Sequence, residues 1–233
     1  VTLIVLVSIT SLLPSLFGKY NAALSDNTNL TFSASAFKSK WYASGQIPDR
    51  AVQSGLITRF GSLDPTEGGN TERYNANAVV AHQFNNGTSW QNQLFFNRYK
   101  FKLYSNFTFF LNDAVNGDGI VQAEDRNIFG FASTLKSKQF FKQWTLTSTD
   151  GIGLRYDATS NSQLAYQVKR QFLSNIMLGD VKELNAYTFT QQQATFGNWV
   201  IDAGVRFDYF HFNYLDKLNA AQMPAQGKSI ISP

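Results

Sequence analysis

Trp199-Val200-Ile201-Asp202-Ala203-Gly204-Val205-Arg206-Phe207-Asp208-Tyr209 alternates with a period of two. Successive side chains of an extended strand point to opposite faces, so Trp199, Ile201, Ala203, Val205, Phe207 and Tyr209 share one wholly apolar face. The other face carries Asp202, Arg206 and Asp208, with Gly204 between them. A soluble sandwich would bury the apolar face against a second sheet, whereas a membrane barrel would turn it to lipid and leave the charges in a wet lumen. Length favours the barrel. A tilted strand needs about 9–11 residues to cross the hydrocarbon layer, and this segment supplies that span with an amphipathic aromatic at each end.

Outward from this segment, weaker alternation marks further strands over residues 29–40, 72–84, 90–103, 106–111, 127–136, 143–148, 151–157, 163–170 and 187–195. Turn-like sequences separate several of them: Asn85-Asn86-Gly87, Thr149-Asp150-Gly151 and Ser160-Asn161-Ser162. Within residues 90–103 the two faces exchange character near the middle, which marks a bulge, a rim or a strand running past the membrane. Two connections are longer. Residues 41–71 are rich in Gly, Pro and charge, with room for a short helix near residues 51–60, and residues 112–126 are rich in Asn, Asp and Gly. Short turns on one side and long polar loops on the other give the expected fold class: all-β, an antiparallel transmembrane β-barrel. The apolar run over residues 1–13 reads either as a remnant of a targeting sequence or as a β-rich end, and it is shorter than the roughly 20 residues of a membrane-crossing helix.

Composition agrees. Charged residues make up only 15% of the 233 residues while aromatic residues also reach 15%, a surface too weakly charged for an ordinary soluble domain and too aromatic for disorder. The formal charge of +4 is scattered along the chain, so no basic patch for nucleic acid forms. The absence of Cys excludes disulfides, thiolate chemistry and Cys-based zinc sites, and His82 and His211 are the only imidazoles. Neither a nucleophile–His–acid set nor a repeated metal signature emerges, and the chain is not expected to be an enzyme.

Ala43-Ser44-Gly45-Gln46-Ile47-Pro48-Asp49-Arg50-Ala51-Val52, followed by Gly55-Leu56-Ile57 and by Arg59-Phe60-Gly61-Ser62-Leu63-Asp64-Pro65-Thr66-Glu67-Gly68-Gly69, resembles the barrel region of TonB-dependent outer-membrane receptors. Residues 71–84 and the segment from Phe107 through Asn116-Gly117-Asp118 to Phe131 are similar as well, and the likeness covers most of residues 18–216. The resemblance implies a 22-stranded barrel in the outer membrane, occluded by an N-terminal plug, which takes up a scarce small ligand with energy passed from the inner membrane through TonB. No segment matches the plug or the TonB-contacting box, and eight to ten strands, at about ten residues plus a turn each, fall short of that wall. The expectation is a partial barrel: an apolar segment at 1–17, barrel wall with external loops at 18–216, and an irregular tail at 217–233 that lacks the family's terminal aromatic residue. Its partners are then outer-membrane lipid, the missing plug and barrel segments, the TonB system acting through that plug, and an unknown small ligand. A passive pore and a β-rich surface binding protein are the alternatives.

Three sets of side chains are site candidates. Asp202, Arg206 and Asp208 share one face and can line the lumen. Trp41, Trp90, Trp144, Trp199 and Tyr209 suit the interfacial girdles, because indole and phenol join an apolar body to a polar handle. Asp113, Asn116, Asp118 and Asp125 could offer hard oxygen ligands to calcium, although the EF-hand spacing is incomplete and a solvated polar hairpin explains them as well. No other cofactor is expected.

Overall fold

The computed structural model describes residues 2–8 and 15–233. The strands are β1 (Thr2–Ser8), β2 (Ser15–Ser25), β3 (Thr28–Tyr42), β4 (Gly68–Gln83), β5 (Ser89–Ser105), β6 (Ile120–Phe140), β7 (Thr145–Val168), β8 (Gln171–Phe196), β9 (Trp199–Asp216), β10 (Ala221–Gln222) and β11 (Gln226–Ser232). One short helix, α1 (Asp49–Gln53), lies in the β3–β4 connection. Each strand from β1 to β10 pairs with its sequence neighbour, all antiparallel, and β11 returns to pair with β9. The result is an open 11-stranded sheet, not a closed barrel of 22 strands.

The alternation of the sequence becomes two chemically distinct faces. One register row runs Phe32, Ala78, Leu94, Phe131, Leu154, Ala186, Tyr209 across seven strands. The adjacent row, pointing the other way, runs Ser33, Asn77, Phe95, Gly130, Arg155, Asn185, Phe210. A one-residue slip would invert both faces, so the pattern fixes the register. No second layer covers the apolar face among the described residues: Leu94 is 60% and Ile152 55% exposed. A single sheet with an uncovered apolar side is the geometry of a barrel wall and not of a sandwich.

Chain direction sorts the connections. The turns at residues 26–27, 84–88, 141–144 and 197–198 lie at one end, and the connections at 43–67, 106–119, 169–170 and 217–225 at the other. At the first end Gly87 adopts a φ of 81°. Its missing Cβ makes that left-handed turn inexpensive.

Several expectations need correction. Thr149-Asp150-Gly151 is not a turn, because the three residues pair in register with Gln191, Thr190 and Phe189 inside β7. Gly151 serves there as a seat: a Cβ would run into the Phe189 ring, just as one on Gly153 would meet Tyr187 and one on Gly130 would meet Phe95. Ser160-Asn161-Ser162 is likewise inside β7, at a bulge where Asn161 takes a φ of 51°. Residues 106–111 are loop, since the Asn106 side chain turns inward to Asp64. The loop expected over 112–126 ends before Ile120, and the helix expected near 51–60 is shorter and earlier. Residues 90–103 contain no bulge, because β5 pairs without a register shift on both sides. Arg98 and Lys100 simply continue the apolar parity past Phe96. The tail at 217–233 carries β10 and β11, held by a neighbouring strand that its own weak alternation could not reveal. Of the apolar run at 1–13, residues 2–8 form β1 against β2, and Val1 and residues 9–14 lie outside the described residues.

The glycine seats make a paired prediction. Gly130→Val should lower unfolding stability by about 1–3 kcal/mol through overpacking against Phe95. Gly18→Val, on the apolar face with nothing within 4 Å of the added Cβ, should leave it nearly unchanged. Urea midpoints of the folded protein in detergent micelles check this, and equal shifts for the two variants would contradict it.

Candidate functional site

The polar face of β7, β8 and β9 gathers its charges by an Arg-aromatic-Asp repeat. In β9, Arg206 grips Asp208 with two bonds, Nε to Oδ2 at 2.7 Å and Nη2 to Oδ1 at 2.8 Å, while Asn185 Nδ2 donates to the same carboxylate at 3.1 Å. The guanidinium lies 3.8 Å from the Tyr187 ring centroid. In β7, Arg155 and Asp157 repeat the fork at 2.8 and 3.1 Å. Residues two apart on a strand share a face, so the repeat builds each pair within its own strand. Asp202 stands on the same face but apart from that network, accepting from Gln191 Nε2 at 2.9 Å and Gln193 Nε2 at 3.1 Å. Of the three lumen candidates, two are bonded together and the third is served by glutamines. Arg155 and Asp157 were missed in the sequence, although the same spacing was there to be seen.

The aromatic candidates divide. Trp199 and Tyr209 are ten positions apart on the apolar face of β9, 71% and 39% exposed. Trp90 is on the apolar face at the short-turn end and donates through Nε1 to Ser133 Oγ at 2.8 Å. Trp144 stacks on Phe141 in the 141–144 turn, with ring centroids 4.1 Å apart. Trp41 is a correction. It shares parity with Ser33, Ser35 and Ser39, faces the polar side over Gly69, and packs 6.4 Å from Phe101. The large ring needs the empty seat that Gly69 provides, and this places it away from the apolar face.

The calcium candidates are not gathered. Asp118 accepts from the backbone amides of Leu111, Asn112 and Asp113, and Asp113 from those of Val115 and Asn116. For Asp113, bonds from Asn116 hold the carboxyl below the usual carboxylate range. Asp118 is lowered too, through a hydroxyl bond from Thr108 and these amides. Asp125 lies in β6, paired with Arg98 at 3.0 Å and Lys100 at 3.5 Å. Oxygens already spent on N–H donors cannot also wrap a cation, and among the described residues no cluster of three metal-ligating side chains forms. The hairpin is capped by its own carboxylates.

At the long-loop end the connections pack on one another. Arg170, in the tight turn between β7 and β8, donates through Nε to the Thr66 carbonyl at 2.7 Å and through Nη2 to the Glu67 carbonyl at 3.3 Å. Its guanidinium is sandwiched between Tyr42 at 4.8 Å and Tyr104 at 4.9 Å. Gln167, almost wholly buried, receives the Arg170 backbone amide on Oε1 at 2.6 Å. Burial alone would raise the Asp64 carboxyl, but bonds from Thr66 and Asn106 and the charge of Arg170 outweigh it and hold that group below its ordinary value. Glu67 goes the other way. It is 5% exposed, and burial pushes its carboxyl up against a single backbone bond from Asn106, helped by the nearby Asp64 charge. Gly45, at a φ of 63°, leaves the space that the Glu67 carboxyl occupies. Between these loops is a cavity of about 580 Å³, walled by Leu56, Ile57, Leu63 and Phe109 with Asn106, Gln167 and Lys169 at its polar end.

A carboxyl with a raised pKa favours the packed state below its unfolded value near 4.5 and loses that contribution as pH rises through the folded value. Glu67→Gln should therefore slow amide exchange over residues 43–67 near neutral pH and make no difference around pH 4. Exchange mass spectrometry checks this, and an equal effect at both pH values would contradict it.

Comparison with known proteins follows the geometry. A sequence search of the curated proteins finds no match. Among solved structures, the ferric citrate transporter FecA in its unliganded form superposes with a TM-score of 0.81 at 12% identity, covering 94% of this chain and 32% of that one. BauA, the ferric preacinetobactin receptor from Acinetobacter baumannii, gives 0.70 at 7% identity, covering 94% and 36%. The closed form of the ferric-catecholate import receptor Fiu from E. coli K12 gives 0.67 at 10% identity, covering 94% and 40%. At such identities the likeness establishes the fold, and the chain spans about a third of the length of these proteins. The family model described as TonB dependent receptor-like, beta-barrel, matches residues 14–233. A two-faced antiparallel wall, long loops at one end and a match over nearly the whole sequence thus converge: the chain belongs to the TonB-dependent receptor-like β-barrel family, transport proteins of the outer membrane and not enzymes.

Proposed function

We propose that this chain supplies wall and extracellular loops to an outer-membrane receptor for TonB-dependent uptake of a small ligand. The observation that carries the reading is the asymmetry of the sheet: an uncovered apolar face for lipid, a face of bonded charges and amides for a wet interior, and polar loops packed together at one end only. In this reading Asp202, Arg206 and Asp208 line the lumen of a 22-stranded barrel, and Trp90, Trp144, Trp199 and Tyr209 sit at the headgroups. Residues 18–216 are its wall, and the plug that contacts TonB comes from outside this segment. The bidentate Arg206–Asp208 pair is partly solvated and contributes about 1 kcal/mol or less to stability, so its main effect is to hold a fixed polar surface against the lumen contents.

The test is uptake by the receptor that carries this wall, in cells with a working energy-transfer system. Saturable ligand accumulation that disappears when TonB is deleted is the expected result. Conductance or accumulation that persists unchanged without TonB would replace the reading with a passive pore.

A further inference from the structure

We propose that the cavity between the 43–67 and 106–119 loops and the β7–β8 turn is a binding site for a small amphipathic molecule with an apolar, ring-bearing body, a hydroxyl donor and an anionic group. The proposal rests on the reading of these loops as the ligand-facing end of a receptor, and it adds the chemistry they select.

Three observations carry it. First, the hollow is bounded by apolar side chains on its long walls and polar ones at one end, the arrangement of a site that gains affinity from the body of a ligand and orientation from a few groups. Second, the lining holds polar atoms with work left to do. Asn106 is 7% exposed, and its Nδ2 donates to Asp64 Oδ2 at 3.2 Å, yet its Oδ1 is buried without a hydrogen-bond partner. A buried acceptor left unmade is costly, and a ligand hydroxyl would satisfy it. Lys169 contributes its ammonium to the same lining, and no carboxylate pairs with it among the described residues. The neighbouring acid Asp64 is already engaged by the Thr66 amide and hydroxyl at 2.9 and 2.6 Å. An anionic ligand group would therefore meet an available cation.

Third, two lining residues are held in the left-handed region without being glycine. Phe109 has a φ of 59° and Lys169 a φ of 49°. Side chains rarely adopt this conformation, and it persists only where the surroundings over-determine it. Here the Phe109 carbonyl is fixed by the Asp118 amide at 2.5 Å, and the Lys169 turn by Arg170 on Gln167 and the Thr66 carbonyl. Both loops are thus committed to presenting an aromatic ring and an ammonium to one hollow.

The test uses the intact receptor carrying this segment, in detergent, with 6-hydroxy-2-naphthoate as the fluorescent probe. 2-Naphthoate lacks the hydroxyl and 2-naphthol lacks the carboxylate. Saturable binding of 6-hydroxy-2-naphthoate is expected. Lys169→Asn, a residue at ease in the left-handed region, should weaken binding of both carboxylates about tenfold and leave 2-naphthol unchanged. Ile57→Trp should fill the hollow and abolish binding of all three. Absence of saturable binding, or equal affinities across the three probes and both variants, would overturn the proposal; so would exclusion of every probe because another loop of the receptor occupies the hollow. Binding that survives in a receptor showing no TonB-dependent uptake would refute the uptake reading while leaving the cavity assignment standing.

Discussion

Ala203→Arg should impair insertion of the barrel by about 2–4 kcal/mol if the residue sits near the membrane midplane, the largest effect expected of any wall substitution considered. Ala203 occupies the centre of the apolar face of β9, between Ile201 and Val205, both about half exposed with no protein layer over them. A guanidinium there must find water or an acceptor within lipid. One acceptor is close, because the register partner across β8 is Gln192, on the same face. That sets the expected value at the lower end of the range. Asp202→Asn, one residue away on the polar face, should be milder for folding, since Gln191 and Gln193 can still donate to the amide oxygen. Folded fractions from heat-modifiable electrophoresis measure both, and equal losses would contradict the assignment of faces.

Arg170→Ala should release the long-loop end without unfolding the wall. The side chain satisfies two backbone carbonyls from one connection while stacking between two tyrosines of β3 and β5. Charge-assisted bonds and a desolvated cation–π sandwich together make loss of about 3 kcal/mol of local docking free energy the expectation. Amide exchange over residues 64–67 should then accelerate about a hundredfold, at about 1.4 kcal/mol per tenfold, with strands β5 to β8 unaffected. Arg170→Lys should rescue only part, because an ammonium keeps the charge but not the planar fork. Unchanged exchange at residues 64–67 in the alanine variant would show that the loops are held by something other than this residue.

The wall was legible in the sequence wherever one strand kept strict alternation, as in residues 199–209. It was less legible where a neighbour decided the outcome. β7 reads as three short strands because Gly151 and Asn161 look like turn residues, yet one is a seat for a ring from β8 and the other lies in a bulge. No local pattern reports a ring that arrives from forty residues away. A second gap is the apolar face itself. Ser148, Gln192, Thr190 and Asp150 form a hydrogen-bonded run on that side, with distances of 2.5, 2.9 and 2.6 Å, and their mutual satisfaction lets polar groups sit among apolar ones. Such a run is invisible until β7 and β8 are in register.

The loop site was the least legible part. Residues 43–69 carried the family resemblance, but Glu67, Asn106, Gln167 and Arg170 come from three connections and meet only when the sheet aligns them. Their individual sequence contexts are ordinary polar loops and a strand end. What could have drawn attention is Lys169-Arg170 as a two-residue turn without Gly or Asn, since non-glycine residues in a tight left-handed turn need outside support.

Orientation of β9 is the most direct test of the account. The native sequence contains no Cys, so single cysteines at positions 201 to 208 can be introduced without background. In the folded receptor in outer-membrane vesicles opened to expose both sides, a water-soluble maleimide should label positions 202, 204, 206 and 208 and spare 201, 203, 205 and 207, with a lipid-soluble reagent giving the inverse pattern. Equal labelling at Ala203 and Gly204, by either reagent, would contradict the two-faced wall on which the function rests.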